Sequence, residues 1–350
     1  MRIDPIVADF FEASVDVIRE AGGWVLPGTH AIAGDSGLSL SNPAADGGAL
    51  ALVPQSCFLP ISEYAWGADE ILEIVGPGPD LDPLATELLV LQIAMHNHRD
   101  ALGRIAREHP QLAVDLDEGL ISAVRTLRPS FRRGVPTPAS LFWSNRCLRL
   151  PSPATQPTGA TTPMLVPIID LLDHRSGVPS GYLHPRGFGA DVAHDDHAPL
   201  CFLNYGRERD PIGMAVVYGF VDTTNSLAHS ATVHVGLPGI GEVVVAARGR
   251  DRSGELLDIQ ATRHGERVVL SRLTFDRRQP LASLTAEVVA ATGLPVDSAE
   301  RLIDRVAHGN LELLARVEET AGIGQPTPAA TVLAGAARVQ RLTIESVLSA

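Results

Sequence analysis

The sequence predicts an α+β fold: small β-sheets interrupted by an inserted helical region, then hairpins and a C-terminal helical domain. Three observations carry this. Short apolar runs broken by Gly, Pro, Asn and Asp fill residues 24–62 and return between 165 and 221. Helical spacing of apolar residues separates these two regions. Hairpin-like alternation over 231–275 then gives way to helical patterns from about residue 281 onwards.

Taken in order, residues 7–21 have the spacing of a short amphipathic helix ended by Gly22-Gly23. The strand-like text that follows includes Ala49-Leu50-Ala51-Leu52-Val53 and the turn Ser41-Asn42-Pro43. After the break Gly76-Pro77-Gly78-Pro79, Asp82 can cap a helix and Pro83 suits its first turn. Leu84, Leu88, Leu91 and Met95 make its apolar stripe, and the spacing carries it to about Glu108, stopped by Pro110, with more helix before Pro136. Residues 149–163 hold four prolines and read as an extended loop. Strands are expected at Leu165–Leu172, Leu200–Asn204 and Met214–Val221, then hairpins with turns at Asp251-Arg252-Ser253-Gly254 and His264-Gly265. Asp297 with Glu300 offers a capping pattern, and Leu302, Ile303, Val306, Val339, Leu342 and Val347 supply apolar helix faces. The expected segments are 1–77, 78–145, 146–230 and 231–350, with no internal repeat.

With 350 residues, 45% apolar and 20% charged, the chain has ample material for a core and is neither disordered nor fibrous. No apolar run approaches the ~20 residues of a membrane-spanning helix. The start, MRIDPIVADFFEASVD, has acids where a signal peptide needs a basic, then apolar, stretch. A cytoplasmic protein without membrane partners is expected. Formal net charge is −13, and the 28 basic residues are all arginine. Nucleic-acid binding, which draws affinity from cations on phosphates, is not expected. A cationic substrate suits the surface better. The absence of lysine excludes Schiff-base and P-loop lysine chemistry. Cys57, Cys147 and Cys201 are odd in number and show no CxxC spacing, so neither a disulfide framework nor a zinc site is expected.

Several local strings carry less than they first suggest. Gly34-Asp35-Ser36-Gly37 is similar to a serine-protease nucleophile segment, but only 35 residues precede Ser36, too few for the His and Asp that must come before it. His96-Asn97-His98 lies within the helix above. Histidines at i, i+2 point to different faces and cannot share a metal, so surface histidines are expected. His184, His194, Asp195, Asp196 and His197 are denser, but Gly187, Gly189 and Pro199 favour a solvated acidic hairpin tip. No metal site is expected. Gly236-Leu237-Pro238-Gly239-Ile240-Gly241 sits in a hairpin context and reads as a loop, not a phosphate cradle.

The informative text is three islands in the second β region: LVPIIDLLDHRSG at 165–177, LCFLNYG at 200–206 and MAVVYGFVD at 214–222. In this order and spacing they resemble the SET-domain methyltransferases, specifically the branch typified by the Rubisco large-subunit lysine methyltransferase, with patterns like VPxxDxxNH, FxNYG and YGFV. Asp173 stands where that family has asparagine. Gly22-Gly23 and Ser36-Gly37-Leu38 are similar to the family's opening, with serine replacing an arginine, and Asn145-Arg146 resembles its Ser-Arg pair. The layout is similar over the whole chain, whereas specific letters cover roughly 60 residues. By this resemblance, 1–77 and 146–230 are the two parts of the SET domain, 78–145 is the helical insertion and 231–350 is the substrate-recognition domain.

The resemblance implies an S-adenosylmethionine-dependent N-methyltransferase acting on a protein lysine or a small-molecule amine. Such an enzyme must align an uncharged nitrogen with a sulfonium methyl in a site shielded from water. Tyr218 and Tyr205 are the implied catalytic tyrosines, and Asp170 and Phe220 line the substrate channel. Ser36, Gly37, Leu38, Arg146, Asp173, His174 and Tyr205 are the implied cofactor-binding residues, Arg146 pairing with the carboxylate in two-pronged fashion. An ionised Asp173 can only accept hydrogen bonds, so it could take the cofactor's α-ammonium. The alternative is a SET scaffold repurposed as a small-molecule biosynthetic enzyme that transfers no methyl, or as a binding protein with a vestigial pocket.

Overall fold

In a computed structural model the chain is α+β. The structure describes residues 3–34, 37–44, 47–67, 71–134, 136–151, 161–193, 200–205, 209–246, 259–265 and 267–350. The helices are α1 (Pro5–Glu20), α2 (Pro83–His98), α3 (Ala101–Glu108), α4 (Glu118–Leu127), α5 (Pro138–Ser144), α6 (Pro211–Tyr218), α7 (Leu281–Thr292), α8 (Val296–Ala321) and α9 (Pro328–Leu348). Two compact units result: Met1–Arg107 with Pro136–Tyr205, and Glu108–Val135 with Gly206–Ala350. The segment 78–145 is therefore shared, residues 108–135 going to the second unit.

In the first unit, Asp4 starts α1 by accepting from the backbone of Ile6 (3.1 Å) and Val7 (3.4 Å), and Gly22 at φ 85 ends it. Its buried stripe of Val7, Phe11, Val15 and Ile18 joins the same core as Leu88 and Met95 of α2. Asp82 caps α2 through the Leu84 amide at 2.9 Å, as its position suggests. The expected single helix to Glu108 does not form. Asn97 turns its side chain to the backbone of Leu72, accepting at 2.7 Å and donating at 2.9 Å, and Asp100 takes φ 49 between α2 and α3. The ladder ends in i→i−3 bonds from Arg99 N to His96 O at 3.2 Å and Asp100 N to Asn97 O at 3.1 Å. The largest sheet places Ala49–Pro54 between Trp24–Val25 and Gly187–Asp191, with Tyr182–His184 beyond, all antiparallel. His30–Gly34 pairs separately with Gly37–Ser41.

Leu165–Leu172 is not a strand. Leu165 makes one bridge to Leu59, and Ile169–Leu171 is a 3₁₀ turn held by Leu171 N to Ile168 O and Leu172 N to Ile169 O, both at 3.1 Å. Ile168 enters it at φ 72, ψ −45, a strained conformation for a β-branched residue. The turn carries the Asp170 side chain into the interior.

The second unit has its own core, in which Leu302, Val306, Leu314, Leu333 and Ile344 of α8 and α9 are fully buried. Val233–Leu237 and Gly241–Val245 form a hairpin, so the Gly236–Gly241 stretch is a turn, and His264-Gly265 turns Ala261–His264 into Arg267–Leu270. The turn expected at 251–254 and residues 152–160 lie outside the described residues, but the ends of the extended loop expected over 149–163 are strands, since Leu148–Pro151 pairs antiparallel with Thr161–Met164. Two expectations are corrected here. Met214–Val221 is no strand: Asp210 accepts from Gly213 N at 2.8 Å, Pro211 occupies the first turn, and Gly219 at φ 77 stops α6. Helix α8 begins at Val296 after Pro295, so Asp297 sits inside the first turn and does not cap it.

Candidate functional site

Three segments distant in sequence meet in the first unit. Asp173–His174 pairs in parallel with Phe202–Leu203, and Cys201 N donates to Leu40 O at 2.9 Å, bringing the strand Gly37–Ser41 alongside. Gly37, Leu38, Asp173, His174 and Tyr205 are thus gathered by one strand network. Gly37 has φ 126, and a Cβ there would lie 2.5 Å from the Arg104 guanidinium. The positive φ is what calls for glycine, since the Arg104 guanidinium ends a flexible side chain that can shift aside. Ser36 lies outside the described residues.

Tyr205 is fixed at both ends. Its amide donates to His174 Nδ1 at 3.1 Å, and its hydroxyl donates to Leu172 O, with Ile169 O at 3.3 Å. The His174 and Tyr205 rings stack with centroids 6.0 Å apart. Burial raises the Asp173 carboxyl above the usual range, opposed by a hydrogen bond from Ser39 and by the Arg146 charge.

Arg146 follows α5, which Thr137 caps through Ser140 N at 3.1 Å. Its guanidinium carbon sits 3.9 Å from the Phe142 ring centroid, and Nη1 donates to Phe142 O at 3.3 Å. Its Nε is buried with no hydrogen-bond partner among the described residues. Burial pushes this guanidinium down to about 10, and the Asp170 carboxylate is the main charge opposing the shift. Asp170 itself is buried. Its Oδ2 accepts from His96 Nε2 at 3.2 Å, while Oδ1 has no partner among the described residues.

His96 is therefore not a surface residue. It lies one turn after Gln92 on the stripe that includes Leu88, and burial holds its imidazole below the ordinary histidine range. Its ring meets Phe142 edge-on at 4.8 Å and Trp143 at 6.1 Å. His98 points elsewhere, to Asp4 at 3.1 Å. Sequence reasoning missed His96, Gln92 and Arg104. The i, i+4 spacing from Leu88 through Gln92 to His96 was the available signal.

Tyr218 and Phe220 belong to the second unit. Tyr218 is the last residue of α6, half-buried, its ring 6.1 Å from Phe220 and 5.6 Å from the Arg209 guanidinium. His109 Nε2 donates to Val217 O at 3.1 Å and Gln111 Nε2 donates to Val216 O at 2.7 Å, fixing the end of α6. No group of three His, Cys, Asp or Glu suited to a metal occurs among the described residues. His194, Asp195, Asp196 and His197 lie outside them. No helix among the described residues is long and apolar enough to cross a membrane.

No family model and no curated protein matches the chain. Among solved structures it is similar to the SET domain of LSMT bound to methyllysine and AdoHcy, at 12% sequence identity and a TM-score of 0.45. That likeness covers 99% of this chain and 91% of the other.

Proposed function

We propose that the chain is a SET-type transferase that moves a methyl group from S-adenosylmethionine to an amine, on a protein lysine or a small molecule. The observation that carries this is the buried, incompletely bonded Arg146 beside Asp170, next to the Asp173-His174 and Tyr205 segments. An unmet buried donor and an unmet buried acceptor fit a ligand with a charged amino-acid head, which S-adenosylmethionine has. When bound, that cofactor supplies an electrophilic methyl on a sulfonium.

Arg146 would take the carboxylate, with its guanidinium held by the Phe142 ring so that the remaining N–H groups stay directed. The Gly37-Leu38 backbone and His174 would hold the rest of the cofactor. Tyr205, anchored on Leu172 O, would line the transfer site with its ring. The resemblance gives Tyr218 the orienting of the amine and Phe220 an apolar wall, roles that the Tyr218→Phe variant tests. In this reading 1–77 and 146–230 carry the SET halves, 78–145 the insertion and 231–350 the recognition domain.

Calorimetry with S-adenosylhomocysteine tests the reading. Micromolar binding is expected, about −8 kcal/mol. Arg146→Ala should weaken it by roughly 2–3 kcal/mol, the worth of a hydrogen bond to a charged group. Tyr218→Phe should fold normally and lose most methyl transfer to a lysine peptide. Absence of heat in the parent chain favours the repurposed scaffold, a reading that Asp173 in the family's asparagine position supports.

A further inference from the structure

The His96 and Asp170 side chains are 2% and 0% exposed and face each other in the first unit. We infer that together they form an ammonium-binding acceptor for the amino-acid head of the ligand, with His96 as its positioning residue. This rests on the cofactor reading, replaces the Asp173 contact expected from the sequence and moves Asp170 from the expected substrate channel to the cofactor's amino-acid head.

A carboxylate accepts only, so the His96 Nε2–H must be the donor across the 3.2 Å contact. That contact fixes Oδ2 and sets the plane of the carboxylate. Oδ1 is left as a buried acceptor with no partner among the described residues. An unmatched buried acceptor is costly, so a donor from a ligand has a large gain available there. The Arg146 guanidinium, close enough to feel the Asp170 charge, has at Nε a buried donor with no hydrogen-bond partner among the described residues. One acceptor and one donor, both buried, match the two ends of an α-amino-acid zwitterion. Asp173 suits the ammonium less well: it already holds the Ser39 hydroxyl, and burial favours its neutral form. Gln92, one turn before His96, has both amide atoms buried without a hydrogen-bond partner among the described residues, so α2 presents a polar face to the interior.

The test compares S-adenosylhomocysteine with 5′-methylthioadenosine, which keeps the adenosine and lacks the amino-acid head. In His96→Leu, the Kd for S-adenosylhomocysteine should rise about tenfold or more, the loss of one charge-assisted hydrogen bond. The Kd for 5′-methylthioadenosine should stay within about threefold by the same argument, because that ligand never reaches Asp170. His96→Gln, which restores a donor, should recover most of the affinity. Asp170→Asn keeps the shape and should give the same split, which covers the case of a Leu variant that does not fold. Equal weakening of both ligands, or unchanged binding of S-adenosylhomocysteine, overturns the inference while leaving the cofactor reading intact. A parent chain that binds neither ligand overturns both.

Discussion

At the level of single residues, the most sharply determined group is His109. Its Nε2 donates to Val217 O, and its Nδ1 accepts from Gln111 N at 3.2 Å, so both nitrogens are engaged in the neutral form. Burial pushes the imidazole down to about 4. The folded pKa is thus below the unfolded one, and stability is intact above about 6.5 and lost as pH falls towards 4. Urea titrations at pH 7 and pH 4 should show a loss of order 3 kcal/mol that His109→Gln lacks. Asp173 behaves in the opposite sense. Its folded pKa is raised, so its carboxylate costs stability at neutral pH and the cost fades on acidification. Asp173→Asn should raise the Tm at pH 7, with the advantage shrinking below pH 5. A lowered Tm would mean that the hydrogen bond from Ser39 outweighs the cost of burying the charge.

Among the elements, α6 turns on one side chain. Asp210 is fully buried, caps Gly213, accepts from His229 N at 3.1 Å and pairs with Arg128. Removing one partner of a buried ion pair typically costs about 3–5 kcal/mol, and Asp210→Ala should lose that much by urea unfolding. A loss below 1 kcal/mol would mean that α6 is held by packing alone. The same element shows where sequence reading stopped. Met214-Ala215-Val216-Val217 is apolar on every face because Met214, Ala215 and Val216 are all buried, which erases the helical period. The flanking Asp210-Pro211 and Gly219 carried the helix signal instead. Helices α1 and α2 were legible because one face of each meets solvent, with Gly22-Gly23 ending the first and Asp82-Pro83 starting the second. Within the site, Arg146, Asp173, His174 and Tyr205 were readable as motif positions, as was Asp170. The His96–Asp170 contact was not, since it joins α2 to a turn 74 residues away. Nor was the positive φ of Ile168, which no local signal in the sequence announces.

On the scale of the whole molecule, the second unit is assembled from two separate stretches, with residues 136–205 of the first lying between them in sequence. Helix α4 contributes Leu120, Ile121, Val124 and Leu127 to that unit's core and packs against α8. A chain ending at Tyr205 should therefore expose this face. It should bind a hydrophobic dye and aggregate, whereas the full chain should not; a monodisperse fragment that binds no dye would show that α4 finds cover elsewhere. The interleaving also sets a schedule for synthesis. Roughly 170 residues separate α4 from α8, so at ribosomal speeds the apolar face of α4 waits on the order of 10–30 s for its partner. Within that interval the nascent chain presents a chaperone with a target that the finished protein has hidden.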